Sequence, residues 1–150
     1  MTTPLLSIII PAYNEASRLP QTLEQIFTFL EGENYSTEVI IVENGSNDQT
    51  FGIAQALTKK YPDLRVLHNE KAGKGLAVRT GILAAKGEYR IFCDADLSMP
   101  IEEVRRFIPP NLDNDIGIAS REVEGAVRYA EPDFRHFTGR IFNLLIRLLA

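Results

Sequence analysis

Asp94 and Asp96 flank one alanine, Ala95, directly after the apolar run Tyr89-Arg90-Ile91-Phe92-Cys93. Residues i and i+2 of an extended chain point the same way, so this spacing aims two carboxylates at one volume. There they repel each other unless a cation lies between them, and hard oxygen donors suit Mg²⁺ or Mn²⁺. Phosphate oxygens commonly complete such an ion's shell. The tripeptide alone also reads as a plain acidic turn, so its surroundings must decide.

Those surroundings alternate between two hydrophobic periods. Leu5 to Ile10 is a β-branched run ending at Pro11, predicting a buried strand stopped by a residue that cannot donate to a ladder. Leu19, Leu23, Ile26, Phe27 and Leu30 follow with the spacing of one buried helix face. Val39 to Val42 predicts a second strand. Ser46-Asn47-Asp48-Gln49 then offers a Ser-x-x-Gln capping box for a helix to about Lys60. Leu64 to Leu67 predicts a third strand. The loop Lys71 to Gly75 opens a helix of small residues, with Lys86-Gly87 as its cationic last turn and glycine stop. After the Asp-x-Asp strand, Pro100, Glu102 and Glu103 precede Arg105 and Arg106 in the order a helix dipole favours, and Pro109-Pro110 ends that helix. Ile116 to Ala119 predicts a fifth strand. Strand and helix in alternation imply an α/β fold, a parallel sheet covered on both faces.

Ligands of such sheets gather beyond the carboxyl ends of the strands. The polar clusters fall there: Tyr13-Asn14-Glu15, Glu43-Asn44-Gly45-Ser46, Asp94 with Asp96, and Arg121. Singly, Asn14 is a helix cap, Asn44-Gly45 a turn and Arg121 a solvated charge; four clusters at one edge favour a site. Gly73-Lys74-Gly75-Leu76-Ala77-Val78 is not a dinucleotide fingerprint, because it lacks the third glycine and follows the third strand rather than the first. Nor does it have P-loop spacing. Lys71 and Lys74 can still approach a diphosphate as point charges, or remain ordinary solvated lysines.

Composition narrows the class. At 150 residues, 45% hydrophobic and 24% charged, the chain suits one soluble domain that buries about 70% of its unfolded surface. A net charge of −4 argues against nucleic acid as a partner. The single cysteine, Cys93, excludes an internal disulfide and reads as a small buried hydrophobe. His68 and His136 lack metal-ligand spacing. No transmembrane helix or signal peptide is visible, and the expected location is the cytoplasm or, peripherally, the cytoplasmic membrane face.

Together the motifs resemble those of the family 2 glycosyltransferases. Pro11-Ala12-Tyr13-Asn14-Glu15 matches that family's P-A-Y-N-E, Val42 to Thr50 its V-D-D-G-S-x-D-x-T, and Asp94-Ala95-Asp96 its D-x-D. The segments Gly73 to Gly81 and Asp94 to Pro100 look most like the branch that glycosylates polyprenyl or dolichyl phosphate. The resemblance implies a GT-A fold, a Rossmann-like three-layer α/β/α sandwich with a mostly parallel sheet. It implies a nucleoside-diphosphate sugar as donor, bordered by Pro11, Ala12, Tyr13 and Glu15, with Glu43 or Asn44 on the base and Lys74 and Ala95 lining the donor site. It implies Mg²⁺ or Mn²⁺ on Asp94 and Asp96, with Asp96 catalytic through that ion. Arg121 and Arg135 would hold the acceptor phosphate. Glu43-Asn44 stands where the family usually has two aspartates, and Gly139 where a serine is usual.

The implied reaction is inverting transfer to a polyprenyl-phosphate acceptor at the membrane surface. No general base is evident. A phosphate monoester needs none, because its second pKa is about 6 and it arrives anionic. The chain stops inside the apolar run Ile141 to Ala150, which reads as an unfinished helix. Residues 1–150 are therefore expected to form a nucleotide-sugar-binding catalytic domain lacking its C-terminal acceptor segment. That run reads either as a core or homo-oligomer helix or as a membrane contact aided by Arg135, Arg140 and Arg147. Rival readings are a sugar nucleotidyltransferase and a non-catalytic donor-binding or oligomerising module. The first normally carries a glycine- and arginine-rich loop after strand one, which Pro11 to Glu15 is not.

Overall fold

Successive residues of the first strand point to opposite sides, and both sides are buried. In β1 (Leu6–Ala12), Leu6, Ile8, Ile10 and Ala12 enter one hydrophobic cluster while Ile9 enters another. β2 (Thr37–Glu43) divides likewise, with Val39 and Ile41 on one side and Ile40 and Val42 on the other. β3 (Leu64–His68) and β4 (Tyr89–Phe92) complete a parallel sheet in the order β3-β2-β1-β4. The computed structural model describes residues 3–112 and 114–120. The expectations for Arg121, Arg135, His136 and the C-terminal apolar run lie outside them.

Helices cover both faces. Leu19, Leu23 and Ile26 of α1 (Leu19–Glu31), Ala54 of α2 (Thr50–Leu57), and Ile101 and Val104 of a 3₁₀ helix (Ile101–Phe107) pack in the larger cluster. Phe27 adds a stacked contact with Tyr61, their ring centroids 4.1 Å apart. The opposite face takes α3 (Lys74–Ala84) through Ala77. A Cβ on Gly81 would overlap Ile9 Cγ2 and lie 3.0 Å from Val42 Cγ2, so the small residues of α3 let it sit close on the sheet. The expected three-layer arrangement is present.

Four local expectations require correction. β1 continues through Pro11 to Ala12, with Pro11 in register with Val42. Tyr89 N–H donates to Leu5 O and Cys93 N–H to Ile9 O; odd-numbered β1 residues therefore face β4, which has ended by Pro11. The missing proline donor costs no rung. The helix after Pro100 is 3₁₀ rather than α, and Ile101, Val104 and Phe107 recur every three positions, as that helix requires. Residues 116–120 form no strand, and Ile116 and Ile118 are 81% and 84% exposed. An isolated Ile-Gly-Ile-Ala has no ladder to satisfy its backbone, and no described strand pairs with it. These residues belong to a second compact unit, Ile116–Ala150, distinct from Met1–Asp115.

The fourth correction concerns Lys86-Gly87. α3 ends at Ala84, with no basic residue in its last turn and Ala85 already extended. Gly87 is not in the left-handed region. Its lack of a side chain instead lets the chain pass against β1: a Cβ would stand 2.5 Å from Ser7 Oγ, 2.6 Å from Ser7 N and 2.9 Å from Leu6 C. At this amino edge buried Glu38 accepts from Ser7 Oγ (2.7 Å), Lys86 N (2.5 Å) and Arg65 Nη1 (2.7 Å). Burial alone would raise its pKa, but these donors outweigh it and hold the carboxyl below its ordinary range. Because backbone cannot yield as a side-chain tip can, Gly87→Ala is expected to destabilise the fold by about 1–3 kcal/mol. A lower urea midpoint at unchanged slope is the expected result.

Candidate active site at the β1/β4 edge

Strand order places β2 and β3 on one side of β1 and β4 on the other. The chain's direction of travel across the sheet reverses there, at the carboxyl edge where ligands of parallel sheets gather; the loops leaving β1 and β4 both lead to helices on the same face. Tyr13-Asn14-Glu15 leaves β1 at this point, and Asp94-Ala95-Asp96 leaves β4.

The β1 loop is stitched to the loop after β2. Asn14 sits at φ 55°. Its N–H donates to Ser46 Oγ at 3.0 Å, and its Oδ1 accepts from Asn47 N at 2.9 Å. Glu15 N–H donates to Thr50 Oγ1 at 2.8 Å, and Ala16 N–H to Asp48 Oδ2 at 3.2 Å. The expected Ser46–Gln49 capping box therefore does not form. Ser46 serves the other loop, Gln49 makes no side-chain cap, and Asp48 Oδ1 accepts from Thr50 N at 2.9 Å. This stitching leaves Tyr13 45% exposed. Pro11 and Ala12 lie within β1, Ala12 fully buried.

Glu43 and Asn44 point inward. Glu43 is 1% exposed, accepts from Ser46 N at 2.5 Å through Oε1, and has His68 Nδ1 2.5 Å from Oε2. Burial would raise its pKa, yet the Ser46 N–H and hydroxyl and His68 hold it below the ordinary range. Asn44 Oδ1 accepts from Gly73 N at 2.9 Å, tying the β2 end to the glycine loop. Gly45 must be small and left-handed: its φ is 70°, and a Cβ would stand 3.2 Å from Glu70 O.

The Asp-x-Asp segment is a turn rather than extended chain. Leu97 N–H donates to Asp94 O at 3.1 Å, and Leu97 takes φ 47°; strand alternation therefore does not set the two carboxylates' directions. Two other contacts do. Buried Thr22 of α1 donates its hydroxyl to Ala95 O at 2.6 Å, while the Ala95 methyl packs in the core. Ser98 N–H donates to Asp96 Oδ1 at 2.9 Å. The Asp96 carboxyl is pushed up by partial burial but held below its usual range overall, by Ser98 and by the nearby Arg18 charge. Arg18 Nη1 also pairs with Glu15 Oε2 at 2.6 Å. Lys74, the first residue of α3, places Nζ 2.6 Å from Asp94 Oδ1. Cys93 is buried, and burial together with Asp94 and Asp96 pushes its thiol up to about 12, so it stays protonated at neutral pH.

The hard carboxylate oxygens of Asp94 and Asp96 suit Mg²⁺ or Mn²⁺. No group of three or more His, Cys, Asp or Glu able to hold a metal occurs among the described residues. Lys71 is exposed, and no contact ties it to Asp94 or Asp96 among the described residues. Arg18 and Thr22 join the site without belonging to any of the sequence motifs, and Ser98 joins it from within the Asp94 to Pro100 segment. A threonine on the apolar stripe between Leu19 and Ile26 is the available signal for Thr22; nothing local marks Arg18.

Residues 7–143 match the family described as Glycosyl transferase family 2. The dolichyl-phosphate beta-glucosyltransferase of Drosophila melanogaster is 36% identical, over 97% of this chain and 49% of its own length. The dolichol-phosphate mannosyltransferase of Pyrococcus furiosus is 36% identical, over 80% of this chain and 34% of its own. Among solved structures, the mannosyltransferase PcManGT from Pyrobaculum calidifontis in complex with GDP-Man and Mn²⁺ superposes with a TM-score of 0.55 at 28% identity, covering 64% of this chain and 28% of that one. The chain thus spans half or less of the length of these relatives. No described helix is long and apolar enough to cross a membrane. Ordered motifs, parallel sheet and a match over most of the sequence together establish that this chain belongs to glycosyltransferase family 2.

Proposed function

We propose that this chain forms the donor side of a metal-dependent, inverting glycosyltransferase that carries sugar from a nucleoside diphosphate to a polyprenyl or dolichyl phosphate. The observation that carries the reading is the meeting of three groups at one sheet edge: the exposed Tyr13 loop, the Asp94–Asp96 turn, and Lys74 against Asp94. The lipid phosphate is supported by the relatives from Drosophila and Pyrococcus, and the nucleotide sugar and divalent ion by the archaeal mannosyltransferase complex.

In this reading Tyr13 lies beside the nucleoside, on a loop fixed by Pro11, Ala12 and the Asn14–Ser46 bonds. Glu43 and Asn44 spend their oxygens on Ser46, His68 and Gly73; they shape the nucleoside pocket by holding its loops rather than by reading the base. Glu15 holds Arg18 beside Asp96. Lys74 faces the diphosphate. Asp94 and Asp96 hold Mg²⁺ or Mn²⁺, which when bound supplies Lewis-acid stabilisation of charge on the leaving diphosphate. An acceptor phosphate oxygen attacks the anomeric carbon from the face opposite the nucleotide. The new carbon–oxygen bond forms as the bond to the β-phosphate breaks, and the nucleoside diphosphate leaves with the electron pair. No proton need be removed from the acceptor, whose second ionisation lies at about 6. Arg121 and Arg135 are the proposed acceptor-phosphate ligands.

Calorimetric titration of UDP- and GDP-sugars tests the donor site. With Mn²⁺ one donor should bind, and chelation or Asp96→Ala should weaken it at least tenfold, about 1.4 kcal/mol; heat indifferent to both changes contradicts the metal's place. The acceptor is tested by offering polyprenyl phosphate beside free sugars. Product on the lipid phosphate is expected, and transfer to sugar hydroxyls alone would reject that acceptor.

A further inference from the structure

Lys74 Nζ lies 2.6 Å from Asp94 Oδ1, an oxygen that the donor-site reading gives to the metal. A carboxylate has lone pairs enough for both an ammonium and a divalent ion, but the two cations repel each other there, so each weakens the other's hold on Asp94. Nothing in the geometry commits Lys74 permanently to Asp94. The lysine is 62% exposed and the aspartate side chain 46%, and its long stem opens α3 at a loop edge. Lys74 has one described partner, Asp94, and a diphosphate would offer it a stronger one.

Resting on that donor-site reading, we infer that Lys74 is an exchangeable counter-ion at the metal site: it occupies Asp94 while the donor is absent, transfers to the diphosphate when the donor arrives, and so lets the divalent ion bind more tightly once the nucleotide is present. The two carboxylates thus differ in setting: Asp94 carries the Lys74 ammonium, whereas Asp96 Oδ1 accepts from the Ser98 N–H. Asp94 binds the ion more tightly once Lys74 leaves. Linkage makes the effect reciprocal, so the ion tightens nucleotide binding by the factor by which nucleotide tightens ion binding.

The size of the effect comes from exposure. Solvent-exposed ion pairs hold their partners weakly, so removing Lys74 is expected to tighten binding of Mn²⁺ alone by about two- to fivefold. The experiment counts free Mn²⁺ by electron paramagnetic resonance in titrations of the 150-residue chain, Lys74→Met, Asp94→Asn and the double variant, each without nucleotide and with saturating UDP or GDP. Lys74→Met should bind Mn²⁺ alone more tightly than the unaltered chain, yet gain less affinity when nucleotide is added. In the Asp94→Asn background the lysine substitution should have no effect on Mn²⁺ alone. Lys74→Met affinity for Mn²⁺ alone that is equal to or weaker than the unaltered chain's overturns the inference, as does an undiminished gain in the Asp94→Asn background. If nucleotide and Mn²⁺ still bind together in the unaltered chain, the donor-site reading survives either result. If the unaltered chain binds Mn²⁺ neither alone nor with nucleotide, both fail together.

Discussion

Ile9 accepts the last rung of the β1–β4 ladder from Cys93 N–H, and beyond that bond the two strands part. β1 runs on through Pro11 to Ala12 beside β2, while β4 gives way to the Asp94–Leu97 turn. Everything proposed for the site depends on this separation. It lies where strand order reverses, tolerates a proline that has no donor to offer on that side, and leaves the Asp-x-Asp turn free of the ladder. The turn then takes its position from α1, through the Thr22 hydroxyl on Ala95 O. A polar bond inside an apolar helix face is costly if left unmade, so Thr22 and Ala95 fix each other, and the carboxylates on either side of Ala95 inherit that placement.

Two buried carboxylates mark the ends of β2 and act alike. Glu38, near the amino end, collects Ser7, Lys86 and Arg65; Glu43, at the carboxyl end, collects Ser46 and His68. Each is held ionised by hydrogen bonds that outweigh its burial, and each fixes connections that would otherwise hang loose from the sheet. The amino-end cluster binds the approach to β4. The carboxyl-end cluster binds the loops beside the nucleoside side of the site. The same chemistry is therefore structural at one end and, in the proposed reading, shapes a ligand site at the other.

Much of this is legible in sequence because it depends on local periodicity. The β-branched runs mark β1 and β2, the short Leu64 to Leu67 segment marks β3, and the spacing Leu19, Leu23, Ile26, Leu30 marks the buried face of α1. Motif order along the chain carries the family. What escapes depends on tertiary partners. Ser46 and Gln49 have the spacing of a capping box, but Asn14 takes the serine. Gly87 follows a helix as a terminating glycine does, yet it is small because Ser7 lies against it. Ile116 to Ala119 has strand composition and no described partner strand. Asp94 and Asp96 are neighbours as their spacing suggests, but a turn and two hydrogen bonds set their positions where strand alternation was the expected cause.

The central claim is that a divalent ion and a sugar nucleotide share the carboxyl edge of the sheet at β1 and β4. Paramagnetic broadening by Mn²⁺ in the amide spectrum of the ¹⁵N-labelled chain, with UDP- or GDP-sugar present, tests it most directly. The account predicts selective loss of the signals of Tyr13 to Glu15, Lys74, Gly75 and Ser98, with Glu38, Gly87 and Tyr89 at the opposite edge remaining sharp. Broadening centred on the amino edge, or none that favours the Asp94–Asp96 turn, would contradict it.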